Sequence, residues 1–429
     1  MKQYKESGTQ GIGLIPHSWD SKQLGIFFSE NRRANSNLES VTALQFKYGE
    51  IIQKPSNGRD LSDKDKELLS KYTVIEPGDV VVNGLNLNFD LKSLRIAIAK
   101  ENGVITSAYI VLRPRKGVNP EYYNYVLKAL DFQKILHGMG EGIRLTLSYD
   151  ELKKLNVPAP DAAIQTAIVS YLDKKCGKID SLIRLQEQMV EKLKAYKQSV
   201  ITEAVTKGLD PNAKLVPSGI DWIGEIPEGW LVTDIKKLCV SITDGSHFSP
   251  ERQSEGMPYI TAGDIRGKGI DYNNAMRIRI EDYNLLESQG CRPHKGDILM
   301  VKDGATTGRV GMMIDNEECV LLSSVAMLTP LPNVDSNYLM YLIQSNVIQA
   351  QIQLLMAGSA MPRVTLKKIN SLKGLLIPLN DQHSIASYLD EKCADIDRLI
   401  ALKQQKIESL KDYKKSVIYE VVTGKTIIE

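Results

Sequence analysis

The sequence contains no hydrophobic run that approaches the roughly 20 residues needed to cross a bilayer, and no charged-then-apolar leader. Cysteine is scarce: its five residues form no Cys-x-x-Cys pair and no regular framework, which is typical of a reducing compartment. Charge of one sign is not in excess either, because the formal net charge is +2 over 429 residues. These absences predict a soluble cytoplasmic protein that is neither a membrane protein nor a polycation, and the length of 429 residues predicts two or three domains.

The chain also lacks the motifs of common DNA enzymes. The segment from Gly304 to Arg309 has no Lys-Ser/Thr pair for nucleotide phosphates, so it predicts a surface turn. The string Asn119-Pro-Glu-Tyr122 has one proline too few to clamp a flipped base, and it predicts a helix start. Asp150 and Glu151 have the residue types of a nuclease site, but they stand at another predicted helix start, where acids favour the helix dipole. No segment therefore predicts a catalytic site.

Metal-ligating residues are dispersed as well. Cys176 and Cys393 occupy equivalent positions in two similar segments, and we interpret them as buried small side chains rather than a metal pair. The five histidines are far apart in the sequence: His17, His137, His247, His294 and His383. We expect no bound metal.

The dominant feature that is present is a long internal repeat. Residues 165–206 reappear at 382–423, shifted by 217 positions, with 25 of 42 residues identical and no gap. A unit of about half the chain is too long for a solenoid, whose repeats span roughly 20–50 residues. The chain therefore contains two copies of one whole module.

Each copy also has a matching opening segment and an unlike interior. Ser7–Trp19 and Ser218–Trp230 share the frame Ile-Gly-x-Ile-Pro-x-x-Trp, and Arg144–Leu147 matches Arg363–Leu366. Between these borders, residues 20–143 and 231–362 share only short pieces such as a Gly-Asp pair. A retained frame with diverged interiors indicates two specificities on one scaffold.

The repeated segments have the heptad periodicity of long helices. The first helix is predicted over Ile179–Thr206, or about 40 Å at 1.5 Å per residue, and a glycine follows each helix (Gly208 and Gly424). Two apolar stripes of similar length predict an intramolecular antiparallel coiled coil. The predicted helix–helix packing residues are Ile179, Leu182, Met189, Leu193, Tyr196 and Val200 in the first copy, and Ile396, Leu399, Leu410, Tyr413 and Val417 in the second.

The variable regions have the pattern of mixed α/β structure, with short β-branched runs between Gly, Asn and Pro residues. Each region ends in a predicted helix, over Glu121–Leu136 and Ser336–Leu355. The expected fold is therefore α/β (α+β): two mixed α/β domains joined by two long antiparallel coiled-coil helices, with an internal pseudo-twofold.

Loop-like sequence in both variable regions carries basic and polar residues suited to DNA. Arg and Lys suit phosphate contacts, and Arg can also recognise base edges in the major groove. Isolated basic residues are equally ordinary on any soluble surface, so only the duplicated architecture favours DNA. The candidate DNA-binding residues are Arg32, Arg33, Lys54, Arg59, Lys92 and Arg95, then His247, Arg252, Arg266, Lys268, Arg277, Arg279, Lys302 and Arg309.

Two other functions remain open from the residues alone. A coiled-coil scaffold could use its variable regions to bind proteins, and an autonomous nuclease or methyltransferase could act without the motifs sought above. Two modules joined by rigid helices favour a third function, recognition of two unlike half-sites at a fixed distance. About 40 Å of helix corresponds to roughly 12 base pairs of 3.4 Å each.

The combined motifs resemble the specificity subunits of type I restriction-modification systems over essentially the whole chain. The second opening segment carries the family signature completely, from Ser218 through Trp222 to Trp230, whereas the first has Gly11 in place of the first Trp. The second variable region is similar to the family's target-recognition domains at Thr243–His247, Pro258–Thr261, Gly296–Ile298 and Asp303–Thr306, and the first at Gly78-Asp79 and Thr106–Tyr109.

The resemblance implies a non-catalytic subunit that recognises an asymmetric bipartite site in double-stranded DNA. It implies docking of two adenine methyltransferase subunits, through which restriction subunits can join. S-adenosylmethionine, ATP and Mg²⁺ would be bound by those partners and no cofactor by this chain. The implied order is an opening segment (1–19), target-recognition domain 1 (20–147), helical spacer 1 (148–210), a second opening segment (211–230), target-recognition domain 2 (231–366) and helical spacer 2 (367–429).

Overall fold

A computed structural model describes residues 4–9, 11–47, 49–55, 61–87, 94–139, 145–356, 362–426 and 428. It divides the chain into two compact units. Unit 1 comprises residues 1–187 and 405–429, and unit 2 comprises residues 188–404. Two long helices, α5 (Ala162–Lys207) and α10 (Leu379–Val422), contribute one part to each unit.

Among its described residues, unit 1 contains twelve strands, four short helices and the first part of α5. The helices are α1 (Leu24–Phe27), α2 (Asp63–Ser70), α3 (Pro120–Phe132) and α4 (Tyr149–Leu152), with a 3₁₀ turn at Ile135–Gly138. The strands are β1 (Tyr4–Glu6), β2 (Leu14–Pro16), β3 (Asp20–Gln23), β4 (Phe28–Glu30), β5 (Leu44–Lys47), β6 (Glu50–Gln53), β7 (Thr73–Ile75), β8 (Val80–Val82), β9 (Ile96–Ile98), β10 (Gly103–Ile105), β11 (Ile110–Pro114) and β12 (Asn156–Ala159).

Unit 2 has thirteen strands among its described residues, and its last strand leads into α10 as that of unit 1 leads into α5. Its shorter helices are α6 (Ile280–Ser288), α7 (Ser336–Gln344), α8 (Asn346–Met356) and α9 (Leu366–Asn370), with a 3₁₀ turn at Ile235–Leu238. Its strands are β13 (Leu215–Pro217), β14 (Glu225–Pro227), β15 (Leu231–Asp234), β16 (Cys239–Asp244), β17 (Met257–Ile260), β18 (Ile265–Arg266), β19 (Gly269–Ile270), β20 (Met276–Ile278), β21 (Ile298–Val301), β22 (Val310–Met312), β23 (Val320–Leu321), β24 (Val325–Pro330) and β25 (Lys373–Leu376).

Each unit is built on the same antiparallel four-stranded sheet. The strand order is β4-β11-β8-β9 in unit 1 and β16-β24-β21-β22 in unit 2. The register also corresponds, since Leu112 lies opposite Val80 and Leu328 lies opposite Ile298. The mixed α/β architecture predicted for the variable regions is confirmed, and the shared sheet is what their diverged sequences retain.

A tyrosine at the start of the helix after each sheet closes the core. Tyr122 and Tyr338 are buried in their units, and their hydroxyls donate to the carbonyls of Pro158 (3.1 Å) and Leu375 (3.0 Å). Both acceptors lie on the strand before a long helix. As the sequence predicted, Asn119 begins α3, where its side chain accepts a hydrogen bond from the Tyr122 backbone N–H.

The second closing helix differs from the single helix predicted over Ser336–Leu355. It is interrupted at Ser345, whose backbone is extended and whose hydroxyl donates to the Leu342 carbonyl. The Gln349 side chain donates to the Ile343 carbonyl at 2.8 Å, and the Asn346 N–H donates to the Thr202 hydroxyl. These side-chain bonds satisfy backbone groups at the break, so two helices form where the periodicity suggested one.

The opening segments pack on the ends of the long helices. Gly208 and Gly424 have left-handed backbones (φ 74° and 70°), as expected for residues that end a helix. A Cβ added at Gly208 would lie 3.4 Å from the Trp230 ring, and one at Gly424 would collide with Pro16 and lie 3.1 Å from Trp19. The N-terminal segment thus takes the place against α10 that the second opening segment takes against α5.

Candidate nucleic-acid interface and repeated helix surface

A buried lysine joins two loops of unit 2 that the sequence singled out separately. The Lys302 ammonium lies 3.3 Å from an Asp244 carboxylate oxygen and 2.9 Å from one of Asp303, and the residue is 2% exposed. Asp303 also lies 3.0 Å from the Arg363 guanidinium. One cation between carboxylates therefore holds the Thr243–His247 and Asp303–Thr306 motifs side by side.

The loop after β16 has a fixed backbone and two exposed side chains. A Cβ on Gly245 would collide with the Leu321 carbonyl, so only glycine fits there. The Ser246 N–H donates to that same carbonyl at 2.8 Å, and the Ser246 hydroxyl accepts from the Phe248 N–H at 2.9 Å. His247 and Phe248 follow on the surface, and both are exposed.

In unit 1, a different buried cation lies behind the loop after β8, which corresponds to the loop after β21 in unit 2. The Arg95 guanidinium donates to the backbone carbonyls of Asn83 (3.0 Å), Leu85 (2.8 Å) and Asn86 (3.4 Å), and its backbone N–H donates to Asp131 at 2.9 Å. Arg95 is 1% exposed. Both Arg95 and Lys302 were candidate DNA contacts, and their burial gives them loop-organising positions instead of surface ones.

The other candidate DNA-binding residues lie at or near the surface. Arg59 and Lys92 fall outside the described residues. Lys268 and Arg277 are half-buried, and Arg277 donates to the Tyr272 carbonyl at 2.9 Å. Arg309 donates to the Ile265 carbonyl at 3.3 Å, which brings it next to Arg266. The exposed candidates are Arg32, Arg33, Lys54, His247, Arg252, Arg266, Arg279 and Arg309.

Several exposed arginines are tethered by a neighbouring carboxylate. Arg32 pairs with Glu30 at 2.8 Å, and Arg279 lies 3.2 Å from Asp282. Arg33 pairs with Glu39 and with a second glutamate. Exposed ion pairs of this kind contribute about 0–1 kcal/mol, so a phosphate could replace the carboxylate at little cost.

The two long helices run antiparallel in unit 2. Lys197 of α5 pairs with Asp397 of α10 at 2.7 Å. Further along α5, the helix end at Gly208 lies by Trp230, whose indole N–H donates to Asp381 at 3.2 Å. Residue numbers therefore increase along α5 where those of the neighbouring α10 decrease, so the two helices are antiparallel, as the sequence predicted.

Unit 1 contains the ion pair that the repeat relates to the first. Lys414 lies 2.7 Å from Asp180, and these residues are the 217-residue repeat mates of Lys197 and Asp397. In each pair, both oxygens of the aspartate carboxylate accept a hydrogen bond from the same lysine ammonium. Each copy thus supplies the lysine of one pair and the aspartate of the other.

Both helices bury the same stripe of residues, spaced at three and four positions. It includes Ile179 and Val190 in the first copy and their mates Ile396 and Ile407 in the second, all no more than 7% exposed. The positions of this stripe are Ile168, Leu172, Cys176, Ile179, Ile183, Gln186, Val190, Leu193, Lys197, Ile201 and Ala204, and their mates Ile385, Leu389, Cys393, Ile396, Ile400, Lys403, Ile407, Leu410, Lys414, Ile418 and Val421, each of them buried or half-buried.

This stripe differs from the predicted packing residues at alternate positions. Ile179, Ile396 and Val417 are buried, and Leu193, Val200 and Leu410 are half-buried. The structure half-buries Ile183 and buries Val190 where the prediction had Leu182 and Met189, because adjacent apolar residues offered two possible seams. The predicted packing residues that lie exposed are Leu182, Met189, Tyr196, Leu399 and Tyr413.

The exposed apolar residues form one equivalent set in each unit. The unit-1 patch consists of Leu182, Leu185 and Tyr413, which are 47%, 46% and 48% exposed. The unit-2 patch consists of their repeat mates, Leu399, Leu402 and Tyr196. Apolar side chains thus recur at equivalent exposed positions of the two units.

A polar contact near each helix pair is also repeated. The Tyr125 hydroxyl donates to Asp173 in unit 1, and the Tyr341 hydroxyl donates to Asp390 in unit 2, both at 2.7 Å. In unit 2, Lys268 pairs with the same Asp390 and lies 4.9 Å from the Tyr341 ring centroid. Lys268, a candidate DNA contact, therefore fastens the β18–β19 hairpin to α10.

All five cysteines are buried, as the sequence predicted for Cys176 and Cys393. Cys176 and Cys393 are 5% and 0% exposed, and burial raises the pKa of the Cys176 thiol to about 11. Among the described residues, no three His, Cys, Asp or Glu side chains converge in a way that could hold a metal ion. Nor does the described part of the chain contain a helix of the length and hydrophobicity needed to cross a membrane.

Comparison with known proteins indicates one family. Residues 227–412 match the model of the type I restriction modification DNA specificity domain. The MjaVIII specificity subunit of Methanocaldococcus jannaschii is 24% identical over 434 residues, which cover 99% of this chain and 97% of that one. The chain is therefore similar to type I specificity subunits over nearly its whole length, and its second half carries the match to their DNA specificity domain. These comparisons identify a DNA-recognition component that is not itself an enzyme.

Two further comparisons extend the match over both units. The StySPI specificity subunit of Salmonella potsdam is 20% identical, and the match covers 96% of this chain and 90% of that one. A solved chain from a type I R-M system, studied for complex assembly and conformational transition, superposes with a TM-score of 0.68 at 16% identity, covering 96% of this chain and 99% of that one. The superposition shows that the chain shares the fold of that solved chain over nearly its whole length.

Proposed function

We propose that this specificity subunit recognises an asymmetric, split sequence in double-stranded DNA, with one half-site bound by each unit. The observation that carries the proposal is a common sheet and helix frame with unlike loops. Unit 1 offers Arg32 and Arg33 after β4, whereas unit 2 offers His247 and Phe248 after β16. Different side chains at corresponding loops recognise different base edges, so the half-sites should differ.

The buried cations support a role of these loops in specificity. Arg95 and Lys302 hold the loops after β8 and β21 from behind, which leaves their outer faces for DNA. Exposed guanidinium groups nearby supply phosphate contacts, which position the protein without selecting a sequence. The proposed contacts are Arg32, Arg33, Lys54, His247, Arg252, Arg266, Arg279 and Arg309.

We also propose that each apolar patch docks one adenine methyltransferase subunit. The unit-1 patch and the unit-2 patch present the same residue types at positions related by the repeat, so two identical partners are the expected occupants. Restriction subunits would join through the methyltransferases. S-adenosylmethionine, ATP and Mg²⁺ would be bound by these partners, because the specificity subunit supplies recognition only.

The coiled coil is proposed to set the distance between the half-sites. Its stripe repeats at three- and four-residue steps along helices of 46 and 44 residues, a pattern typical of a stiff rod. Inserting one turn after Val190, together with its equivalent in α10 after Ile407, is expected to lengthen the spacer and leave both half-sites unchanged.

The test is selection of duplexes from a random pool by the full-length chain with its methyltransferase subunits, followed by sequencing. We expect one split sequence to be enriched. Arg32→Gln/Arg33→Gln is expected to weaken binding and reduce the salt dependence of the affinity, since each lost phosphate contact lowers the slope by about one. Enrichment of a continuous site, or affinity that is independent of salt, would contradict the proposal and favour a protein-binding scaffold.

A further inference from the structure

Phe248 is an aromatic side chain held on the surface of the proposed DNA interface. It is 49% exposed, and it is the one exposed phenylalanine among the five that the structure describes. Its neighbour His247 is exposed too. A half-exposed phenyl ring has no polar atom to offer water, so its open face is available to an apolar group of a ligand.

The backbone of Phe248 is fixed on both sides. Its N–H donates to the Ser246 hydroxyl at 2.9 Å, and its carbonyl accepts from the Tyr259 hydroxyl at 2.9 Å. Tyr259 is buried on β17, and Asp244 at the start of the loop is bound by the buried Lys302. The ring is therefore presented by a rigid loop, as a recognition residue requires.

We infer that Phe248 contacts the 5-methyl group of a thymine in the half-site recognised by unit 2. The inference rests on the proposed DNA-binding function and adds to it one particular base contact in the half-site that unit 2 recognises. In the major groove, the thymine methyl is the one apolar feature of a base edge, and phenylalanine is a known partner for it. The corresponding unit-1 loop presents Arg32 and Arg33, so the unit-1 half-site should lack this contact.

The geometry favours this contact over insertion of the ring between base pairs. A wedge must enter the stack with most of its surface, whereas half of Phe248 already packs against the protein. A half-site that contains the adenine to be methylated also contains a paired thymine, so the methyl group is available there.

The test replaces each thymine of the unit-2 half-site by deoxyuridine, one at a time, in a fluorescein-labelled duplex that carries the selected target. Binding of the full-length chain with its methyltransferase subunits is measured by anisotropy. The wild type is expected to lose affinity roughly fourfold at one position, the value of one buried methyl-sized group. Phe248→Ala should bind thymine DNA about fourfold more weakly and lose nothing further at that position.

Matched controls separate this role from a structural one. Ile314→Ala, which removes another exposed apolar side chain of unit 2 (56% exposed), should retain the wild-type sensitivity to deoxyuridine. Deoxyuridine in the unit-1 half-site should affect the wild type and Phe248→Ala equally. Phe248→Leu should keep part of the methyl sensitivity because leucine is also apolar.

Two results would overturn the inference while the proposed function stands. The first is a wild type that is insensitive to every unit-2 deoxyuridine, as a ring that acts as a wedge would be. The second is a Phe248→Ala variant that stays as sensitive to deoxyuridine as the wild type. Absence of any preference for a split target is a different result. It would remove the proposed function, and this inference with it.

Discussion

The two apolar patches predict that partner binding can be removed from one unit at a time. The perturbation is Leu182→Ala/Leu185→Ala for the unit-1 patch and Leu399→Ala/Leu402→Ala for the unit-2 patch. These four leucines are 46–54% exposed, so about half of each side chain is available to a partner. Full burial of a leucine contributes about 1.5–3 kcal/mol, and the exposed half therefore about 1 kcal/mol.

Two truncated leucines should thus weaken one docking site by about 2 kcal/mol, or roughly thirtyfold in Kd. Titration of methyltransferase subunit into the specificity subunit, followed by native mass spectrometry, would measure the stoichiometry. We expect two partners on the wild type and one on each double variant at intermediate concentrations. The combined four-residue variant should bind neither partner.

The control variants are placed at exposed polar positions that the repeat relates to each other. Lys174→Ala and its mate Glu391→Ala change exposed polar positions of the same helices and should leave both partners bound. Thermal unfolding should change little in the leucine variants, because these side chains lie outside the buried stripe of the two helices. The reasoning would be refuted if a variant of one patch lost both partners, or if both double variants bound two partners with wild-type affinity.

Three further predictions concern charge and burial. Lys302→Met should lower the free energy of unfolding by about 3–5 kcal/mol in urea, because two carboxylates lose their buried partner; a loss under about 1 kcal/mol would contradict this assignment. Lys197→Asp should destabilise the coil by about 1 kcal/mol and Lys197→Asp/Asp397→Lys should recover most of it, whereas additive losses in a double-mutant cycle would argue against the pair. Burial raises the pKa of the Cys176 thiol to about 11 and that of the Cys319 thiol to about 12. The unfolded chain therefore loses these protons at lower pH than the folded chain, so the free energy of unfolding should fall as pH rises from about 8.5. Urea titrations at several pH values should show a smaller fall for the Cys176→Ala/Cys319→Ala variant.

Much of the frame follows from the sequence because it depends on local pattern. The repeat predicts two modules, the periodicity predicts the long helices, and Gly208 and Gly424 end them as glycines with left-handed backbones do. The helix α5 begins at Ala162, before the predicted Ile179, and α10 begins at Leu379, before its repeat mate Ile396. Their first turns belong to the domain cores, where packing rather than a heptad pattern stabilises the helix.

The helix seam and the site residues depended on contacts between distant residues. Leu182 beside Ile183 and Met189 beside Val190 make two apolar stripes, and only the antiparallel partner decides which one is buried. At Gly11, which replaces the signature Trp, a Cβ would collide with Ile135, whereas Trp222 is exposed, and no local pattern predicts that difference.

The sequence by itself determined that this chain contains one frame twice with two different interiors, since identity at a fixed spacing requires no coordinates. The tertiary structure alone decided which cations face solvent. Arg95 and Lys302 have the same residue types as Arg32 and Arg309, but carbonyls and carboxylates from distant segments surround them and replace the water that a surface cation keeps. A sequence specifies charge at a position, whereas burial depends on which segments fold over it.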